Sequence, residues 1–267
     1  MTYKEYDDIF LESSGMPCKE NWTELIFSTE DNHVEFEYET NDGSFFTVDW
    51  GDGSLIQQYI YLVHDYSNTE LKTITFFISN PLSLIKFNGS DNTLVLEVPS
   101  FSEFTSLEIC DMTRESFSGE LPSFSNCTQL TVFGFDSVQL SGELPDFSAC
   151  TQLEWFSCYG NYFSGTIPSF ANCTKLKSFL ISNNMFTEYT GGCLATQRDL
   201  ELIGLSLNYL TQDSIDAALE DCVTSLGISG RVIANLSLVG PNMETPSAAG
   251  YANKEILEAA GWSVYTN

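Results

Sequence analysis

Positive charge is what this sequence has least of. Lys and Arg together number 10 against 37 Asp and Glu in 267 residues, a formal charge of −27. Phosphate backbones are held by clustered Lys and Arg, and no such cluster occurs, so the balance argues against a nucleic-acid partner. The same charge repels anionic membranes and acidic polymers at long range. Histidine is nearly as scarce: His33 and His64 are the 2 side chains that would ordinarily titrate near neutrality. No apolar run approaches the roughly 18 residues of a membrane span. The opening Met1-Thr2-Tyr3-Lys4-Glu5-Tyr6-Asp7-Asp8 lacks the cationic and then apolar order of a signal peptide, and the expectation is a protein made and kept in a cytoplasm unless it leaves by another route. C-x-x-C and C-x-x-H spacings are missing as well, which argues against a zinc or redox motif among the 8 cysteines.

What is there is a period. Pro99, Pro122, Pro145 and Pro168 stand 23 residues apart, each followed two positions later by Phe101, Phe124, Phe147 or Phe170. Leu107, Leu130, Leu153 and Leu176 keep the same spacing, as do Cys127, Cys150 and Cys173, which marks these cysteines as small buried packing residues. A looser fifth copy runs one residue late through Leu200, Ile203, Leu205, Asn208 and Leu210. Units of this size cannot bury an apolar face alone and must stack, so residues 99–210 predict a solenoid with one continuous core. Alternation at Phe133 and Phe135, Phe156 and Cys158, and Phe179 and Ile181 gives each unit a short strand, and the stack a parallel sheet. Asn161, Asn184 and Asn208 sit where a buried amide can bond the turn backbone. Glu115 and Val138 hold that place in the first two copies, so the asparagine ladder is incomplete there.

Read as L-x-x-Φ-x-Φ-x-x-N-x-Φ, with Φ apolar, the unit resembles a leucine-rich repeat, and Ser-Gly-Glu-Leu-Pro or Ser-Gly-Thr-Ile-Pro after the asparagine position is similar to the plant-type variety. The short units imply no long helices on the convex side.

Upstream, Val34-Glu35-Phe36-Glu37-Tyr38, Phe45-Phe46-Thr47-Val48 and Thr73-Ile74-Thr75-Phe76-Phe77-Ile78 alternate as strands do, with turns at Asn41-Asp42-Gly43 and Asp52-Gly53. This predicts a small β-sandwich. Asp49-Trp50-Gly51-Asp52-Gly53-Ser54 followed by His64-Asp65-Tyr66 resembles a PKD-type immunoglobulin-like domain, in which the histidine is structural. Asp49, Asp52 and Asp65 lack the spacing and closing Glu of an EF-hand and are expected as turn formers. Residues 81–92 are expected as a link whose Leu82, Leu84, Ile85 and Phe87 cover the first solenoid edge. At the far end Ser214 is expected to cap a helix burying Ile215, Ala218, Leu219, Cys222, Val223 and Leu226. A strand over 232–238, a helix over 247–260 and a strand over 262–267 continue the parallel sheet. The fold class is thus mainly β with some α: arm 1–22, sandwich 23–92, solenoid 93–211 and α/β cap 212–267.

The order of the carboxy-terminal segments, closing on Gly261-Trp262-Ser263-Val264-Tyr265-Thr266-Asn267, is similar to the ends of repeat proteins of bacteriophages. With the sandwich before the repeats, the chain resembles a tail-fibre or fibre-tip protein. The resemblance implies a virion location, attachment to other virion proteins through the arm and sandwich, and oligomers within the particle.

Side chains between the inward ones form exposed columns: Ile109, Val132, Trp155, Ser178 and Leu202; then Asp111, Gly134, Ser157, Leu180 and Gly204; then Thr113, Asp136, Tyr159, Ser182 and Ser206. Trp155 and Tyr159 make an aromatic centre, with Val132 and Leu180 beside it and Asp111 and Asp136 as acceptors. Aromatic faces with carboxylates suit sugars, and a flat apolar sheet suits a protein, so ligand contact and subunit packing both stay open. Three readings follow: a virion adhesin that touches a host surface glycan or protein, which is preferred; a purely structural virion component; and a polysaccharide-cleaving enzyme, which no motif supports. No catalytic residue, cofactor or metal is expected.

Overall fold

Val34, Phe36 and Tyr38 are buried while the side chains between them reach toward solvent, the alternation of a half-buried strand. The computed structural model describes residues 23–30, 33–43, 46–57, 61–68, 70–78, 80–89, 92, 94–229 and 234–267. The expected arm, residues 1–22, and the start of the strand expected at 232 lie outside them.

Strands β1 (Thr23–Thr29), β2 (His33–Thr40), β3 (Phe46–Asp49), β4 (Leu55–Gln57), β5 (Tyr61–Asp65) and β6 (Lys72–Ile78) come first, then β7 (Leu84–Asn88), β8 (Leu94–Leu96), β9 (Ile109–Asp111) and β10 (Ser116–Phe117). The repeats supply β11 (Val132–Gly134), β13 (Trp155–Ser157), β15 (Ser178–Leu180) and β17 (Leu202–Gly204), with β12 (Ser141–Glu143), β14 (Tyr162–Ile167) and β16 (Met185–Tyr189) between them. β18 (Asn235–Leu238) and β19 (Ser263–Thr266) close the chain.

Among the described residues three sheets result, ordered β10-β8-β1-β6-β3-β4, β19-β18-β17-β15-β13-β11-β9-β7-β2-β5 and β12-β14-β16. The first sheet packs on the β2 and β5 end of the second through Phe27, Phe36, Phe76 and Phe87. Trp50 is fully buried there, stacked on His64 at 4.8 Å, and Tyr66 donates a hydrogen bond to the Trp50 carbonyl.

Residues 81–92 differ from the expected link. Leu84, Phe87, Gly89, Asn92 and Leu94 stand 23 residues before Leu107, Cys110, Met112, Glu115 and Phe117, so this segment is itself a rung. β7 pairs antiparallel with β2 on one side and parallel with β9 on the other. Leu84 and Phe87 are buried as expected, but Leu82 is exposed. The period is hidden because Gly89 replaces the usual apolar residue: a Cβ there would stand 3.0 Å from atoms of Phe36 and Met112, which fill the space.

The rungs are joined by bonds that recur. Phe101, Phe124, Phe147 and Phe170 stack in file at 5.4, 6.0 and 5.9 Å. The thiols of Cys127, Cys150 and Cys173 donate to the carbonyls of Phe101, Phe124 and Phe147 in the rung below. Gln197 takes over in the fifth copy and donates to Phe170 O at 2.7 Å. Asn161 accepts from Leu140 N at 3.0 Å and donates to Phe135 O at 2.7 Å, and Asn184 and Asn208 repeat the pattern. Glu115, expected as a gap in this ladder, accepts from Asn92 N and Leu94 N instead. Val138 has no polar atom to offer and leaves the ladder broken there. Among the described residues, 99–211 contain turns and strands but no helix.

The cap holds two helices, Gln212–Ser229 and Ala248–Ala259. Thr211, not Ser214, caps the first, since its hydroxyl accepts from Ser214 N, while the Ser214 hydroxyl accepts from Tyr189 N. Ser247 caps the second. β18 and β19 extend the repeat sheet in parallel.

Candidate ligand-binding face

The register of the parallel strands settles which side chains share a row. Ile109, Val132, Trp155, Ser178 and Leu202 are direct partners from strand to strand, and Lys86 and Asn235 extend the row at either end. Asp111, Gly134, Ser157, Leu180 and Gly204 form the next row. Period two then turns Trp155, Ser157 and Tyr159 to the same side of the sheet. Trp155 is 47% exposed and Tyr159 43%, whereas Ser157 between them is buried. Val132 and Leu180 are half-buried. The middle row is therefore a trough with an aromatic ring on each bank.

Small residues make the trough, and their neighbours require them. A Cβ on Gly134 would lie 2.8 Å from Asp111 Oδ1, and one on Gly204 2.9 Å from the Ser182 hydroxyl. Asp111 Oδ1 accepts from Thr113 N and Oγ1. Asp136 Oδ1 accepts from the Ser157 hydroxyl at 2.5 Å and from Tyr159 N at 2.8 Å. Burial raises the Asp136 carboxyl above the usual carboxylate range, against the pull of those two bonds. Both carboxylates, expected as acceptors for a ligand, thus have protein donors, Asp111 in its own turn and Asp136 across to the next strand. The trough was not anticipated, although the small residues at 134, 157 and 204 signalled it.

Along one border run Glu108, Glu154 and Glu201, with Lys177 bonded to Glu154. Elsewhere the titratable groups are spent locally. Asp49 accepts from Gly51 N, Asp65 pairs with His33, and Asp52 holds Ser54 and His64. Burial works against ionisation of Asp52, but its bonds from Ser54 and His64 prevail and lower it to about 2. Among the described residues no group of three or more His, Cys, Asp and Glu could hold a metal ion, and no helix is long and apolar enough to cross a membrane.

Rung, ladder and open sheet together decide the architecture. The body is a leucine-rich-repeat-like β-solenoid with a concave sheet face. Such a solenoid is similar to the crystal structure of a TDR receptor, at 31% identity over 47% of this chain and 22% of that one, with a TM-score of 0.45. It is similar to the plant peptide hormone receptor RGFR1 solved with RGF2, at 24% identity over 56% and 23% of the two chains, with a TM-score of 0.46. A further likeness is to the leucine-rich-repeat ectodomain of the Arabidopsis receptor kinase HAESA in complex with an extended IDA peptide hormone ligand, at 30% identity over 43% and 20%, with a TM-score of 0.40. This chain therefore spans less than a quarter of the length of each. No protein-family model matches the sequence, and neither does any curated protein.

The bacteriophage assignment, with its virion, tail-fibre and host-attachment reading, is corrected by these likenesses, which are to plant receptor ectodomains. The segment that suggested it has a structural purpose. Trp262 and Val264 are buried in the cap, and the Asn267 amide bonds Gly240 and Met243, so the motif fastens the last strand to the turn at Gly240.

Proposed function

We propose that the chain is a non-catalytic recognition protein whose concave sheet takes an extended peptide or protein segment along the trough between Trp155 and Tyr159. The observation that carries this reading is the pair of rings exposed on the concave sheet, whose repeat phenylalanines are buried in file behind it. Large exposed aromatics on an open, rigid sheet are the usual anchors of protein contacts. Val132 and Leu180 give apolar footing beside them, and Asp136 fixes the strand that carries them through Ser157 and Tyr159 N. The border of Glu108, Glu154 and Glu201 favours a ligand with basic groups, and the net charge of −27 steers such a ligand from a distance. The amino-terminal sheets, which we assign to the PKD-type immunoglobulin-like class on the Trp50, Asp52 and His64 arrangement, serve as the base from which the solenoid projects.

The test is selection from a displayed peptide library on the immobilised full chain. Peptides rich in basic and aromatic residues are expected, binding more weakly as salt rises. Trp155→Ala and Tyr159→Ala should each weaken them roughly tenfold or more with the melting temperature unchanged. Selected peptides indifferent to both substitutions would remove the face from consideration.

A further inference from the structure

A second surface lies outside the concave sheet. Beyond each asparagine the chain turns onto the flank, where Tyr162, Met185 and Tyr209 follow one another at the same repeat position. Tyr162 is 56% exposed and Tyr209 45%. With Leu207, Asn183 and Asn242 they line an open cleft of about 340 Å³. Rungs in a sheet are about 4.8 Å apart, so the two tyrosines stand roughly 10 Å apart with the Met185 thioether between them.

Leu207 is the telling residue. The position before the asparagine column is left-handed along residues 114–207, with φ of 63° at Arg114, 57° at Ser137, 73° at Gly160 and 59° at Asn183. Glycine and asparagine suit that conformation, whereas a leucine with φ of 57° is strained there. Its side chain is exposed, so burial does not compensate it. Strain kept at an exposed position points to use of the side chain. Gly240 brings the far wall close: a Cβ on it would meet Leu207 N at 2.9 Å, and the turn it permits sets Pro241 and Asn242 over the cleft.

None of the lining residues is charged, although the chain carries 37 acidic side chains. A cation finds no carboxylate in the walls, and an anion meets the field of the whole protein. The occupant is therefore neutral, with apolar faces for the tyrosine rings and hydroxyl edges for amides. We propose that this cleft binds one or two rings of a neutral saccharide. The tyrosine rings and Met185 take the C–H faces, while the side-chain amides of Asn183 and Asn242 meet the hydroxyls. Asn161 and Asn184 form the floor, their amides already committed to the ladder.

The experiment is calorimetric titration of the full chain with maltohexaose, mannohexaose and cellohexaose, with an oligogalacturonate as the anionic counterpart. At least one neutral probe should bind and the anionic one should not. Tyr162→Ala and Tyr209→Ala should each raise Kd roughly tenfold, with unchanged melting, since both side chains are exposed. Trp155→Ala should leave saccharide binding as it was, which separates this site from the concave face. The proposal is overturned by failure of all three neutral probes, by equal binding of the anionic one, or by indifference to both tyrosine substitutions. Failure of the saccharides together with tyrosine-dependent binding of an uncharged peptide would overturn it in favour of a protein partner.

Discussion

Around Trp50 the amino-terminal sheets are held by contacts that each occur once, whereas along the repeats the same few bonds recur from rung to rung. The Trp50, His64 and Tyr66 stack has no counterpart elsewhere among the described aromatic pairs. The Phe101 to Phe170 file, by contrast, repeats one contact, and the thiols of Cys127, Cys150 and Cys173 repeat one donation. The two regions nevertheless share one hydrophobic core and one sheet, joined at β7. A residue in the repeats is interpretable from its partners one rung away, and a residue in the amino-terminal sheets only from its own neighbours.

The comparison is broken most forcefully by removing a ring from the file. Phe124 is fully buried and touches Phe101, Phe133, Phe135 and Phe147. Phe124→Ala is expected to destabilise by about 3–5 kcal/mol, measured by denaturant unfolding. Because the core is continuous, tryptophan fluorescence and far-ultraviolet dichroism should follow a single transition. Two separated transitions would show that the regions unfold independently. A smaller effect is expected from Asn161→Ala, which leaves Val138 N and Leu140 N without their acceptor. The loss should be about 1–3 kcal/mol in all, since water can enter the space the amide leaves, and hydrogen exchange at Leu140 should accelerate before exchange in the amino-terminal sheets. Smallest is the acid response of the amino-terminal sheets. Asp52 is lowered in the fold from 3.8 to about 2, so its contribution is complete above 3.8 and disappears as pH falls toward 2. Asp52→Asn should flatten stability across that window, seen in melting temperature against pH, and an unaltered profile would contradict the assigned bonds.

The solenoid was legible because its register is printed in the spacing: the Pro-Phe period named the buried file, and the columns it defined are the strand partners found. The rung at Leu84 was not, since it lacks the Pro-Phe segment before it and hides Gly89 behind Phe36. Glu115 was misjudged as a gap because a carboxylate in an asparagine column looks foreign until its two oxygens are seen to meet two backbone N–H groups. Trp155 and Tyr159 were named from the pattern. The trough between them depends on how Asp111 and Ser182 crowd the next rung, which spacing does not encode. The closing motif was misassigned because its spacing does not show that Trp262, Val264 and Asn267 pack on and bond to the cap.

The thiol and amide bonds run between neighbouring coils and reach no farther. Copying one 23-residue segment in frame would therefore hand the newcomer acceptors beneath it and donors above it, without altering either end. Such a molecule can lengthen by gene duplication in single steps, each adding one more strand to its open face.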